Sequence, residues 1–213
     1  MKTLHLITLS LVTVVFAGNM NAQSSQYSTA MRENLEKMSK WSESPQSLAA
    51  TFERIAQAEK NQWLPYYYAA YSAIIQSFKE PNAEQRDKIL DQVQNLLDAA
   101  GKLNPDSSEC MVLQGYLYVA RIQVNPMNRG AEYSQMANES FDKAIRLNPE
   151  NPRGYYMKGV TVLNTPDFFG GGKVPAKPIL AQAMAKFENF KPATPFSPNW
   201  GKENCQKQFA ACQ

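Results

Sequence analysis

One segment of the chain repeats without a gap at an offset of 44 residues. The first copy contains Leu103-Asn104-Pro105 and the second contains Leu147-Asn148-Pro149. Apolar or small residues flank both motifs at constant spacing: Leu97, Ala100, Met111 and Gly115 in the first copy, and Phe141, Ala144, Tyr155 and Gly159 in the second. Because repeats of this kind are supersecondary units that bury their apolar faces on each other, the pattern predicts a stacked repeat fold.

Each Leu-Asn-Pro motif predicts the end of one helix and the start of another. Proline cannot continue the helical hydrogen-bond ladder, and it biases the preceding residue away from helical geometry. Ser107 and Ser108 suit the cap of the next helix in the first copy, and Pro152 suits its first turn in the second. Gly115 and Gly159 fall inside those helices at a cost of about 1 kcal/mol each, which indicates close packing against a neighbouring helix.

Capping residues, prolines and apolar spacing along the rest of the chain predict about nine helices and no strand. Loops rich in proline or glycine are expected at residues 124–129 and 165–178, where they lengthen the repeat. The helices are expected near residues 28–41, 45–59, 63–78, 83–102, 107–124, 131–147, 152–163, 176–190 and 198–211.

The repeated segments resemble the tetratricopeptide repeat family. Four positions carry the resemblance, Ala137, Phe141, Ala144 and Pro149 in the second copy and Val93, Leu97, Ala100 and Pro105 in the first. The chain looks like the exported members common in Bacteroidetes-like bacteria. The resemblance implies an all-α fold, in which antiparallel helix pairs stack as a short right-handed solenoid. The inter-helix loops would be lengthened, since the family period is about 34 residues.

The N-terminus has the layout of a secretory signal. Lys2 is followed by an apolar run from Leu4 to Phe16, and small and polar residues lead to Asn21-Ala22-Gln23. The run is shorter than the roughly 20 residues of a membrane span. We therefore expect a signal peptide at 1–22 and a single helical domain at 23–213, whose repeat-like core covers about 47–211. The product would be periplasmic or secreted, with no membrane span.

Composition argues against several classes of function. The only histidine, His5, would leave with the signal peptide, which removes Ser-His-Asp, Cys-His and histidine-zinc chemistry. A net charge of +3 does not indicate nucleic-acid binding. Acidic pairs such as Glu132 with Glu139, or Asp87 with Asp91, are interpreted as solvated helix faces. We therefore expect no enzyme activity, no cofactor and no metal site.

Three cysteines, Cys110, Cys205 and Cys212, leave two alternatives open. An exported protein can form a disulfide, in which case at least one of the three cysteines is free or pairs with another chain. Cys205 and Cys212 are too far apart on one unbroken helix to bond to each other, so a bridge needs a helix break or Cys110. The second alternative is that all three are buried, inert thiols.

The tetratricopeptide resemblance also implies a concave groove, lined by the first helix of each pair. Carried over position by position, its lining includes Tyr67, Tyr71, Glu109, Val112, Tyr116, Arg153, Tyr156 and Asn164. Two interpretations of the tyrosines stay open. In the first, each tyrosine uses the face of its ring and its hydroxyl to bind a sugar or an extended peptide. In the second, the tyrosines pack against the protein's own termini or loops.

A glycine run, Phe169-Gly170-Gly171-Gly172-Lys173, is the remaining motif. A phosphate loop needs glycine and Ser or Thr at the positions that Asp167 and Val174 occupy, so nucleotide binding is not indicated. The run is interpreted as an extended inter-helix loop, or as a lid over the groove.

These observations predict a non-catalytic binding or scaffold protein of the periplasm or cell envelope. Its partner would be a peptide or protein docked in the tyrosine-lined groove. The alternative is an accessory protein of an envelope transport system that binds a sugar or other small solute.

Overall fold

The computed structural model describes residues 13–105 and 107–212, with side chains from residue 25 onward. Residues 1–12 of the predicted signal peptide lie outside the described part and residues 13–22 belong to the first helix, so the signal peptide stays a prediction. In the described part, no helix combines the length and apolar character that a bilayer crossing needs.

The described residues form nine α-helices and no strand, which confirms the predicted all-α class. A single 3-10 turn, Asp167–Phe169, lies between α7 and α8. The helices are α1 Thr13–Lys40, α2 Pro45–Ala58, α3 Trp63–Lys79, α4 Ala83–Leu103, α5 Ser108–Ile122, α6 Pro126–Leu147, α7 Pro152–Asn164, α8 Lys173–Asn189 and α9 Lys202–Ala211.

Short polar side chains fix where most of the helices begin. Five helices have a Ser or Asn cap whose side chain accepts a hydrogen bond from a backbone N–H of the first turn, and three of these are followed directly by proline. The caps are Ser44, Asn82, Ser107, Asn125 and Asn151. Both Leu-Asn-Pro motifs end a helix as predicted, since α4 stops at Leu103 and α6 at Leu147.

Several boundaries differ from the sequence expectation. The loop expected at residues 124–129 is mostly helical, because Asn125 caps α6 and Pro126 occupies its first turn. Helix α8 begins at Lys173, earlier than expected, and contains Pro178. Helix α9 begins later, at Lys202. The lengthened connections of this solenoid are therefore residues 165–172 and 190–201.

Consecutive helices pack as antiparallel pairs, α3 with α4, α5 with α6 and α7 with α8, α2 also packs against α3, and the pairs stack in a tetratricopeptide-like solenoid. Helices α3, α5 and α7 lie side by side, on the face that the resemblance predicts to line the groove, here called the concave face. Two apolar clusters form the core, one built on α1–α5 and one on α5–α9, and Tyr116 and Trp200 pack against both.

Paired helices approach each other closely at the two repeated glycines. A Cβ atom at Gly115 would collide with the ring of Phe141 on α6, and one at Gly159 would collide with Leu180 on α8. Both positions therefore need glycine for packing, as the sequence predicted.

All three cysteines are buried free thiols, which decides between the alternatives left open by the sequence. Cys205 lies on α9 and Cys212 caps the end of the same helix, so the helix break that a Cys205–Cys212 bond requires is absent there. Burial raises the pKa of the Cys110 and Cys205 thiols to about 11.

Candidate functional site

Three of the predicted groove residues, Tyr67, Glu109 and Arg153, meet at a buried ion pair on the concave face. Arg153 of α7 is fully buried, and its guanidinium donates to both carboxylate oxygens of Glu109 on α5. The Nη2–Oε1 distance is 2.6 Å, and the Nε–Oε2 distance is 2.9 Å. A two-pronged contact of this kind is among the strongest polar interactions in a protein, and it joins two successive repeats.

Tyr67 of α3 extends this ion pair into a third repeat. Its hydroxyl donates to Glu109 Oε2 at 3.3 Å and accepts a hydrogen bond from Trp200 Nε1 at 2.9 Å. Burial, followed by the nearby Glu109 carboxylate, holds the pKa of Tyr67 well above its usual range. The hydroxyl is therefore a protonated structural donor at physiological pH.

Residues 190–201, the C-terminal segment, fill the groove. The Phe190 ring lies 4.4 Å from the Arg153 guanidinium carbon, and Tyr68 donates to the backbone oxygen of Phe196 at 2.7 Å. Trp200 stacks on Tyr71 with ring centroids 4.8 Å apart. Of the two interpretations that the sequence left open for the tyrosines, packing against the protein's own termini or loops describes these contacts, since residues 190–201 are the loop between α8 and α9.

The remaining residues predicted to line the groove lie partly in the core and partly on the surface. Val112 is buried, Tyr116 packs against Phe78, and Tyr156 contacts Phe187 and Trp200. Asn164 is exposed at the end of α7, where its amide donates to the Val160 carbonyl. The fold thus brings seven of the eight predicted residues to the concave side or its core, whereas Asn164 lies apart.

The glycine run forms a tight turn at the end of α7. Gly170 and Gly172 have φ angles of +79° and +93°, which favour glycine. The Gly172 N–H donates to the Val162 carbonyl, and the Gly171 N–H donates to that of Pro166. Those bonds tie the run to its own turn and to α7, not to the groove residues. The ring of Phe169 is 74% exposed, and Lys173 begins α8.

An open cleft of about 470 Å³ lies elsewhere, between α5 and α6. Volumes in this range are typical of small-molecule sites. Met111 and Tyr118 line it from α5, and the α6 wall carries Met136, Glu139, Lys143 and Arg146. Tyr118 is also stacked on Tyr133, with centroids 5.9 Å apart. The cleft combines thioethers, an aromatic face and two cations, a set that suits a flat, partly anionic molecule.

A solved structure with the same fold is that of the HusA haemophore from Porphyromonas gingivalis. The two chains are 30% identical, the match covers 88% of this chain and 92% of HusA, and the TM-score is 0.79. This chain belongs to the HusA family. The MamA RS-1 ArsTM double mutant is also similar, at 15% identity over 78% of this chain and 96% of that one, but a TM-score of 0.32 is too low to support an argument. No protein-family model and no curated protein matches the chain.

The cleft residues of this HusA relative were not singled out from the sequence. A signal for them exists, because Met111 and Tyr118 on α5, and Met136 and Lys143 on α6, are each seven residues apart and so share a helix face. The faces are half-buried and mixed in polarity. Such a pattern reads as an ordinary helix surface until the pairing of α5 with α6 is known.

Proposed function

We propose that this chain is a non-catalytic binding protein for haem. The observation that carries the proposal is its kinship with a haemophore, at 30% identity over nearly the full length of both chains. Haem is a small ligand, so the proposal follows the sequence-based alternative of a small-solute binder instead of peptide docking.

The composition of the chain limits which side chains could bind the haem iron. The sequence after His5 contains no histidine, so iron ligation by the protein would rely on thioether, phenolate or thiol groups. The thiols are poor candidates, because all three are buried. Methionine and tyrosine remain, and both are known haem ligands.

Peptide docking in the groove, the first prediction from the sequence, is less well supported. Any peptide would have to displace Phe196 and Trp200, and it would uncover the buried Glu109–Arg153 pair. Losing such contacts costs several kcal/mol before the peptide gains any. The tetratricopeptide resemblance itself stays a prediction at the level of the family, as do export and a periplasmic or secreted location.

A protein partner at a different surface is favoured by one observation. Phe168, Phe169 and Val174 are 90%, 74% and 87% exposed around the glycine turn, and clustered exposed apolar side chains mark interaction sites. Purified protein and a Phe168→Ser/Phe169→Ser variant would be compared for capture of envelope proteins. Equal recovery by the two would remove this second candidate.

The primary test is a titration of the purified protein with haemin, followed by the Soret absorbance and by quenching of tryptophan fluorescence. We expect one haem per chain, saturation with a Kd below about 10 μM, and haem that is recovered chemically unchanged. A linear, non-saturating response would overturn haem binding. Conversion of the haem to another product would overturn the non-catalytic assignment.

A further inference from the structure

The cleft between α5 and α6 has the charge pattern of an anion-recognising site. None of the ion pairs among the described residues involves Lys143 or Arg146. Two cations three residues apart on a helix have Cβ atoms about 5–6 Å from each other. They can therefore hold two neighbouring carboxylates, and unpaired side chains do so without first breaking an ion pair.

A second, smaller cavity shows what an ordinary surface depression looks like in the same molecule. It measures about 200 Å³ near the end of α1 and is lined by polar and charged side chains. Its two lysines are already paired, Lys37 with Glu43 at 2.8 Å and Lys40 with Glu36 at 2.6 Å. The α5–α6 cleft differs in size, in the thioether and aromatic side chains of its lining, and in its unpaired cations.

The apolar part of the cleft suits a flat ring. Met111 and Tyr118 lie two helical turns apart on α5, and the wall from Met136 to Arg146 spans about 15 Å of α6. Methionine is unbranched and polarisable, so it adapts to a large planar surface, while Tyr118 offers a ring face for stacking. Since α5 and α6 are antiparallel, Tyr118 and Met136 lie toward one end of the cleft and Arg146 toward the other.

We infer that haem occupies the α5–α6 cleft, with its ring against Met111, Tyr118 and Met136 and its two propionates at Lys143 and Arg146. The inference rests on the proposed function and assigns its site. Glu139, which accepts a hydrogen bond from Gln135 at 2.9 Å, lies between the two ends of the cleft and separates the apolar part from the cations.

The deciding experiment compares haemin affinity across three proteins: wild type, Lys143→Glu/Arg146→Glu and Lys37→Glu/Lys40→Glu. Both double variants change the net charge equally, so the second controls for bulk electrostatics. We expect the cleft variant to weaken haemin binding by about tenfold or more, because two propionate contacts become repulsive, and the α1 variant by less than about twofold. Circular dichroism would establish that both are folded.

A footprinting measurement needs no substitution. Haemin should protect Lys143 from an amine-reactive reagent, whereas Lys177, which is exposed on α8, should react equally with and without it. If the wild type does not bind haemin, the proposed function and this site fall together. If it binds but the two double variants are equal, or Lys143 is unprotected, haem binding stands and the cleft assignment is wrong.

Discussion

The concave face and the α5–α6 cleft of this molecule differ in the burial and pairing of their positively charged side chains. On the concave face, Arg153 is fully buried, held by Glu109 and covered by Phe190. In the cleft, Lys143 and Arg146 are exposed and unpaired among the described residues. A cation whose contacts are complete stabilises the fold, whereas one that lacks a partner is available to a ligand. The comparison shows that the predicted groove is occupied by the chain's own residues 190–201, which supports our proposal that the ligand binds on the other surface.

The strongest test of the concave side removes its buried cation. Arg153→Met leaves the Glu109 carboxylate without its partner, so we expect a loss of about 3–5 kcal/mol in the free energy of unfolding, measured with urea. Adding Glu109→Gln to that variant should restore part of the loss. A change below about 1 kcal/mol for Arg153→Met would contradict a structural role for the pair.

Trp200→Ala tests whether the C-terminal segment seals the groove. The change removes stacking on Tyr71 and the hydrogen bond to Tyr67, and we expect a loss of about 2–3 kcal/mol together with new binding of an apolar dye. Trp41→Ala is the control, since the Trp41 ring is 41% exposed and should cost less than about 1 kcal/mol. Haemin affinity should be unchanged in both, and a large loss in Trp200→Ala would move the ligand to the groove.

Gly115→Ala tests the contact between the two helices that form the cleft. The new methyl group meets the Phe141 ring, so overpacking should outweigh the gain in helix propensity and leave a net loss of about 1 kcal/mol. The matched control is Gly101→Ala on α4, where a Cβ meets no atom within 4 Å and a small gain is expected. Thermal denaturation of the two variants would measure both effects, and equal shifts in Tm would refute close packing at Gly115.

The smallest effect concerns pH. With no histidine after His5, the free energy of unfolding should be nearly flat between about pH 6 and 8. Burial raises the pKa of Cys110 and Cys205 from 9.0 to about 11, so the stability that they contribute is present below pH 9.0 and is lost as the pH rises toward 11. On the acid side, hydrogen bonding to Arg129 lowers the pKa of Asp87, and its contribution is lost as the pH falls through that lowered value.

Urea denaturation across this pH range would check the profile. A step near pH 6.5 would indicate that His5 is retained and takes part in the fold, contrary to the predicted signal peptide.

Local signals were enough to predict most of the helices. Leu-Asn-Pro ended α4 and α6 as expected, and the repeated glycines marked close helix contacts. Asn125-Pro126 was wrongly assigned to a loop, because the same dipeptide that ends a helix also provides the cap and first turn of one. Sequence alone does not distinguish these uses.

The candidate site depended on contacts that no local pattern contains. Tyr68 and Phe196 are 128 residues apart in the chain, so their hydrogen bond, and the filling of the groove, could not be predicted from spacing. The cleft needs the register of α5 against α6, which only the packed structure supplies. The half-buried Met136 and the exposed Lys143 follow the ordinary pattern of a helix surface.

The contacts of residues 190–201 with the concave face make that segment a condition for finishing the fold. Trp200 reaches back 133 residues to Tyr67, and Arg153 donates to the Trp200 carbonyl. During synthesis or translocation from the N-terminus, the concave face stays uncovered until residues 190–201 have left the ribosome or the translocation channel. A product truncated before Phe190 would leave an ion pair and several aromatic rings uncovered, the kind of surface that aggregates or attracts proteases. The fold is therefore stable only after the C-terminal segment, residues 190–201, has been synthesised and has packed on the concave face.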